Sequence, residues 1–329
     1  NNTAVGFNSI CSNTTGAENT AVGSSALTSN TTGFNNSALG RCALFSNTEG
    51  DKNTSIGMST LRCNLTGCSN TAVGYTALLK NTASDNTAVG ADALDANTTA
   101  SNNTAVGSLS LQANTTGTNN VAVGKNALTA NTTANNNIAI GLDSLCVNQT
   151  GLKNVAMGTD TLRNNTGGCN TAIGYLSLTA NTSASNNTSV GACSLNANTT
   201  GCHNTAVGFE ALNKNTSGCF NQAVGSFALG CNTEGCQNVA MGMSALIVNT
   251  TGDHNVAIGR LALTANQTAD SNTAVGTESL RSNTTAAGNS ALGYESLEAN
   301  TTGGVNVAIG YRALKSNTTA GNNVAIGYA

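Results

Sequence analysis

The sequence predicts an all-β chain, a parallel β-solenoid or β-roll of about twenty coils, and three observations lead to it. The Gly of an "AVG"-like triplet recurs from Gly6, Gly23 and Gly40 through Gly310 and Gly327. Every step is 17 residues except two of 16, Gly74 to Gly90 and Gly158 to Gly174. Self-similarity at one short period is the mark of a stacked array. Seventeen residues are too few for most helical repeats. Asn, Thr, Gly and Val are also poor helix formers, and no 3.6-residue period appears. Both shortened copies lose their residue inside the same polar segment, "NTASDN" at Asn81 and "NTGGCN" at Asn165. A turn tolerates such a deletion and a stacked core does not.

Each element of the repeat has its own logic. Four residues before every Gly stands Asn, from Asn2 and Asn19 to Asn306 and Asn323. A β-branched residue follows in most copies (Thr20, Val121, Ile138), then Ala or Ser, then always an aliphatic such as Val22, Ile140, Met157 or Leu292. Period two over these positions predicts a short strand. The β-branched residue and the aliphatic share one face, and Ala and Gly share the other. On this reading Val22 and Leu27 form a thin core, while Ala21 and Gly23 form a tight contact face. The Ala column, replaced only by Ser55 and Ser189, implies close packing against the opposite wall of the coil or against another chain. Four residues after the Gly comes Leu, or once Ile10. The polar segment "xxNTTGxx", whose Asn also never varies (Asn13, Asn30, through Asn317), reads as the outer turn.

Coils stacked at about 4.8 Å would build a rod on the order of 95 Å long. The two Asn columns would add carboxamide ladders along it, since Asn also tolerates left-handed turn geometry. One Val and one Leu per coil cannot offset the ordering of 17 residues, so only stacked coils fold.

Composition narrows the function. Charged residues are 8% and aromatics 3%, with no Pro or Trp, which rules out a core of large residues. A scattered net charge of −3 points away from nucleic acid and anionic membranes as partners. No run approaches the roughly 18 apolar residues of a membrane helix, so no membrane insertion is expected. Residues 1–329 read as one continuous array, and as a segment of a longer fibre because the chain starts and stops inside a repeat. No GGxGxD calcium repeat, no GxGxxG or P-loop, and no Ser/His/Asp or Cys/His constellation occurs. The reading is therefore of a non-enzyme without cofactor or metal. His203 and His254 share a turn position three coils apart, roughly 14 Å, and read as solvated turn residues.

Two features could carry more than structure. "CNLTGC" (Cys63 to Cys68) and "CNTEGC" (Cys231 to Cys236) place the same pair at the same repeat positions, and both pairs are expected to bridge. Cys202 and Cys219 lie one coil apart and could form a vertical bridge, with Cys236 next in the column. The alternative is that Cys simply fills small-residue slots; a zinc site is the weakest reading, as no CxxC occurs. Bridges would imply an oxidising, extracellular setting, and the odd count of 11 leaves one thiol free or paired between chains.

The second feature is the sequon. Fifteen of 19 turn asparagines stand in N-x-S/T form: Asn13, Asn30, Asn64, Asn97, Asn114, Asn131, Asn148, Asn181, Asn198, Asn215, Asn249, Asn266, Asn283, Asn300 and Asn317. At Asn47, Asn81, Asn165 and Asn232 the hydroxyl is missing but the Asn stays, so the residue serves structure first. A rod with so few charges nevertheless calls for a coat. Sparse N-glycans on this ridge, or small O-glycans on its Thr residues, would supply one.

The "TAVG/VAIG" strand with its following small residue and aliphatic resembles the "AIG" repeats in head domains of trimeric autotransporter adhesins. It is also similar to "NTAVGxxAL" arrays in tail-fibre-like proteins of phages and large viruses. The likeness covers the whole chain. It implies a left-handed parallel β-roll, usually trimeric, displayed on a cell or virion surface. The chain departs from the adhesin pattern in its 17-residue period, its fixed Asn columns and its cysteines. The expected function is an extracellular structural fibre, filament or stalk, with itself as partner through end-to-end stacking or lateral oligomers, and with covalent glycans. An adhesin or receptor-binding module is the alternative; Tyr75, Tyr175, Tyr294, Tyr311 and Tyr328 share the position after the Gly. Ice binding by the Thr14, Thr31 and Thr48 column is a third reading.

Overall fold

The computed structural model describes residues 1–328. It divides into two compact units, Asn1–Thr166 and Gly167–Ala329. Each unit is a parallel β-solenoid. The first holds ten strands of three residues, from β1 (Thr3–Val5) and β2 (Thr20–Val22) to β10 (Val155–Met157). The second holds ten more, from β11 (Thr171–Ile173) to β20 (Val324–Ile326). Within a unit each strand pairs in parallel with the strand of the next coil. The register is one repeat, as in Thr3↔Thr20, Ala4↔Ala21 and Val5↔Val22. No helix occurs among the described residues.

The backbone is satisfied along the stacking direction almost everywhere, not only in the strands. Thr20 N–H donates to Asn36 O (2.8 Å), Leu27 N–H to Ala43 O (2.9 Å), Ser29 N–H to Phe45 O (3.1 Å) and Thr31 N–H to Thr48 O (3.0 Å). A buried amide must find an acceptor, and these turns find theirs one coil away. At the "AVG" glycine the coils meet backbone to backbone. A Cβ on Gly23, whose φ is 139°, would lie 2.5 Å from Gly40 O, so no other residue fits that column.

The strand is inverted with respect to the sequence expectation. Ala21, Ala72, Ala105 and Ala206 are fully buried, whereas Val106 and Val207 are exposed. The Ala column therefore packs against the opposite wall of its own coil. Ser55, at an Ala position, shows this directly, with its Oγ 3.0 Å from Thr60 O across the coil. The coil is too thin for a Val against that wall, and it admits Ala against Ala with one Leu per turn.

That Leu is held in the left-handed region, with φ between 46° at Leu61 and 53° at Leu78. An L-residue with a Cβ loses roughly 1–2 kcal/mol there. Full burial of a Leu side chain returns about 1.5–3 kcal/mol, and Leu27, Leu128 and Leu212 are completely covered. Gly would relieve the backbone and leave the core empty.

Both Asn columns also lie inside. In the turn column, Asn114 Nδ2 donates to Asn97 Oδ1 (2.9 Å) in the preceding coil and to Gly117 O (2.9 Å) in its own turn. In the pre-strand column, Asn36 N–H donates to Asn19 Oδ1 (2.9 Å), and Asn36 Nδ2 donates to Gly50 O (2.8 Å) in the next coil. The expected ladders are present, but "NTTG" is not an outer turn throughout, because its Asn is core. The 16-residue copy at Asn81 confirms which atoms matter. Asn81 Nδ2 reaches Ala83 O (2.7 Å), two residues on instead of three, and Asn97 Nδ2 still finds Asn81 Oδ1 (2.7 Å).

Three substitutions should separate these roles in urea melts. Asn114→Ala orphans Asn97 Oδ1 and leaves Gly117 O with Asn103 Nδ2 alone and Asn131 Nδ2 with Ala134 O alone, and should cost about 2 kcal/mol. Ala105→Val should cost about 1–3 kcal/mol through overpacking, and Val106→Ala less than about 1 kcal/mol. A larger loss for Val106→Ala than for Ala105→Val would return the aliphatic to the core and refute the inversion.

Candidate interaction surface

With the interior taken up by Ala, Leu and Asn, only outward positions are free to meet a ligand. The first such surface is the outer face of each sheet, made by strand residues one and three. Its first column is mainly Thr or Val, and its second is Val, Ile, Met or Leu. None of the 27 charged residues occupies either column. In the first unit the aliphatic column ranges from half-buried at Val22, Val73, Val123 and Ile140 to 57% exposed at Val5, and exposure is 37% at Val207 and Ile258 in the second.

The second surface is a cluster of charged and aromatic residues in the second unit. Tyr294 stacks on Tyr311 at 5.3 Å, and Tyr311 on Tyr328 at 5.1 Å. The Arg312 guanidinium lies 5.0 Å from the Tyr311 ring centre. Arg312 Nε donates to Glu295 Oε2 (2.8 Å), and Lys315 pairs with Glu295 and, at 3.1 Å, with Glu298. One coil earlier, Glu278 takes Arg260 at 2.6 Å and Arg281 at 3.2 Å. The hydrogen bond from Lys315, with those from Tyr294 and Arg312, lowers the Glu295 carboxyl to about 2. The signal for this cluster was available in the repeat. Glu278, Glu295 and Arg312 are 17 apart, as are Arg281, Glu298 and Lys315, so two neighbouring columns bring three acids and three bases together.

The turn ridge differs from its expected form. The sequon residues Asn30, Asn64, Asn97, Asn114, Asn131, Asn148, Asn181, Asn198, Asn215, Asn249, Asn266, Asn283 and Asn300 are buried, and only Asn13 and Asn317 are partly open. Their carboxamides point inward, so a folded coil offers no acceptor nitrogen at the 13 internal sites. Where Thr follows the Asn its hydroxyl is committed to the stack, as Thr31 Oγ1 donates to Thr48 O (3.0 Å) and Thr216 Oγ1 to Thr233 O (3.0 Å). The next residue, such as Thr32, Thr116 or Thr200, is exposed.

All 11 cysteines are free thiols in the structure, so the bridges expected for Cys63 with Cys68, Cys231 with Cys236 and Cys202 with Cys219 are not formed. A hydrogen-bond ladder accounts for the second member of each pair. Cys202 N–H donates to Cys219 Sγ (3.1 Å), Cys219 N–H to Cys236 Sγ (3.2 Å), and Asp51 N–H to Cys68 Sγ (3.4 Å). The same column uses Asp253, whose Oδ1 accepts from Cys236 N–H (2.6 Å), and Ser84, whose Oγ accepts from Cys68 N–H (3.0 Å). Each of these thiols also donates to a carbonyl of its own turn, as Cys219 does to Ser217 O (3.4 Å). Cys here is one of several short side chains that cap an amide left over by the backbone ladder. Cys63 and Cys231 stand in a different column, where their amides donate to Leu79 O and Ile247 O. His203 stacks on Phe220 at 4.8 Å. Among the described residues no group of three or more His, Cys, Asp or Glu is placed to hold a metal ion.

Two measurements check these placements. Thiol titration of the unfolded, never-reduced protein should return 11 per chain; seven or fewer would restore two bridges. The Glu295 carboxyl titrates lower in the fold than in the unfolded chain. Its network therefore adds stability above about pH 4.5 and loses it as pH falls toward about 2. Glu295→Gln should flatten this acid limb of the melting profile of the second unit. Neither a known protein family nor a curated protein sequence matches this chain.

Proposed function

We propose that the chain is a non-enzymatic structural fibre segment, built from coils that exist to stack, with copies of itself as its partner. One observation carries this reading. The columns that vary least are all used to join one coil to the next: the "AVG" Gly in backbone contact, both Asn ladders, the buried Leu and the inward Ala. A scaffold for a catalytic or ligand site spends its least variable residues on that site, and here they build the axis. A place outside the cell or on a virion surface accords with the resemblance to surface-displayed adhesin heads and tail fibres. Any covalent coat on the folded chain belongs on exposed hydroxyls such as Thr32 and Thr116, not on the buried sequon asparagines.

A second reading, an adhesin, is favoured by the Tyr294–Tyr311–Tyr328 stack with Arg312 and Glu295, the kind of aromatic and charged patch a uniform shaft does not need. The ice-binding reading loses ground, because the Thr column that suggested it directs its hydroxyls along the stack.

Purified chain viewed by electron microscopy should form filaments longer than one molecule, with a fibre-diffraction spacing of about 4.8 Å along the axis. Particles that stay one chain long at every concentration would reject the fibre. A glycan array tests the adhesin reading, with binding expected to be lost in Tyr311→Ala.

A further inference from the structure

We infer that the outer sheet face is a lateral self-association surface, on which a second copy of this chain lays the same face. This deepens the fibre reading, and it rests on that reading only for the identity of the partner. The face is apolar, contiguous within each unit and free of charge, while Lys and Arg appear directly beside it at Arg41, Lys125 and Arg260, one residue past the Gly. A solvated face in a chain with 27 charged residues would be expected to carry some of them.

Area supports the same conclusion. An outward aliphatic about 40% exposed shows roughly 60 Å² of side chain. Ten coils then present on the order of 600 Å² of contiguous apolar surface, beyond the few hundred Å² that mark an interaction site. With the Thr/Val column added, each unit offers about 1,000 Å², comparable to the roughly 800 Å² per partner of a standard stable interface.

Pitch selects the partner. The aliphatic column rises once per coil, in register from Val5 and Val22 to Leu39, so its grooves recur at the strand spacing of about 4.8 Å. Another stacked sheet repeats at that distance over ten rows, and a second copy carries both the spacing and the same aliphatic rows. Two such faces meet at about 10 Å, with Val and Ile of one sheet seated between rows of the other.

The test uses the full chain. Sedimentation equilibrium should give twice 32.6 kDa. Where filaments form, mass per length should correspond to two chains per coil rise. Val106→Lys with Val207→Lys places unpaired charges in both faces and should weaken pairing at least about 100-fold. Circular dichroism should not change, because neither side chain enters the core. Thr116→Lys on the turn ridge should leave pairing unaltered. Filaments one chain wide would overturn lateral pairing and leave the fibre intact. Paired chains that never elongate would keep the pairing and remove the fibre. Equal association of Val106→Lys/Val207→Lys and wild type would also overturn the proposed face.

Discussion

One requirement shapes this chain: a coil of 17 residues is too thin to satisfy its own backbone, so its polar groups find partners in the adjacent coil. The amides of Thr20, Leu27, Ser29 and Thr31 all donate to carbonyls one repeat away. A period that must return each donor to the same height leaves little freedom in length, and the shortened copy at Asn81 survives by re-aiming one carboxamide by one residue. Where the main chain runs out of acceptors, side chains take over at fixed places. Asn19 Oδ1 accepts the amide of Asn36, and Cys219, Cys236 and Asp253 do the same for the turn column. The asparagines are therefore better understood as backbone substitutes than as surface decoration.

The same requirement sets the packing. Coils close enough to share hydrogen bonds leave room at the "AVG" glycine for nothing but hydrogen, and across the coil for little more than Ala against Ala. Leu is the single large residue admitted. It keeps its place against an unfavourable φ because burying its side chain returns at least as much as the left-handed backbone costs. The bulkier strand residues, Val, Ile and Met, are displaced outward. This thin solenoid thus carries Ala, Asn and one Leu per coil inside and the larger aliphatics of the strand outside.

That inversion explains what was and was not legible beforehand. Period, strand position, all-β class and the Asn ladders follow from spacing alone, since Asn30, Asn47 and Asn64 can only stack if their copies stack. The facing of the strand does not. Hydrophobicity places Val22 inside and Ala21 outside, and only the width of the coil reverses them. The roles of the Cys pairs depend on a related constraint. Cys63 and Cys68 recur as Cys231 and Cys236, which suggests a bond between them, yet Cys68 and Cys236 answer to donors in neighbouring coils. In the sequons the Asn is core, as read from its persistence at Asn47 and Asn81, the axial hydroxyl donor is the middle residue, as Thr31, and the third residue, as Thr32, stays exposed. The charge cluster was legible and overlooked, its acids and bases being 17 residues apart.

The outward columns then divide by how they vary, and the division bears on what each can meet. Residues after the Gly change from coil to coil, among Phe7, Ser24, Arg41, Tyr75 and Lys125, so any recognition there is local, as where Tyr294, Tyr311 and Arg312 gather. The strand's outer aliphatic column stays apolar through every coil and is exposed throughout much of its length. A ligand of ordinary size would constrain three or four coils and leave the others free to acquire Lys or Glu. The proposed partner, itself periodic at the coil spacing, accounts for uniformity over all of them, because a β-solenoid face presents the same rows at every coil.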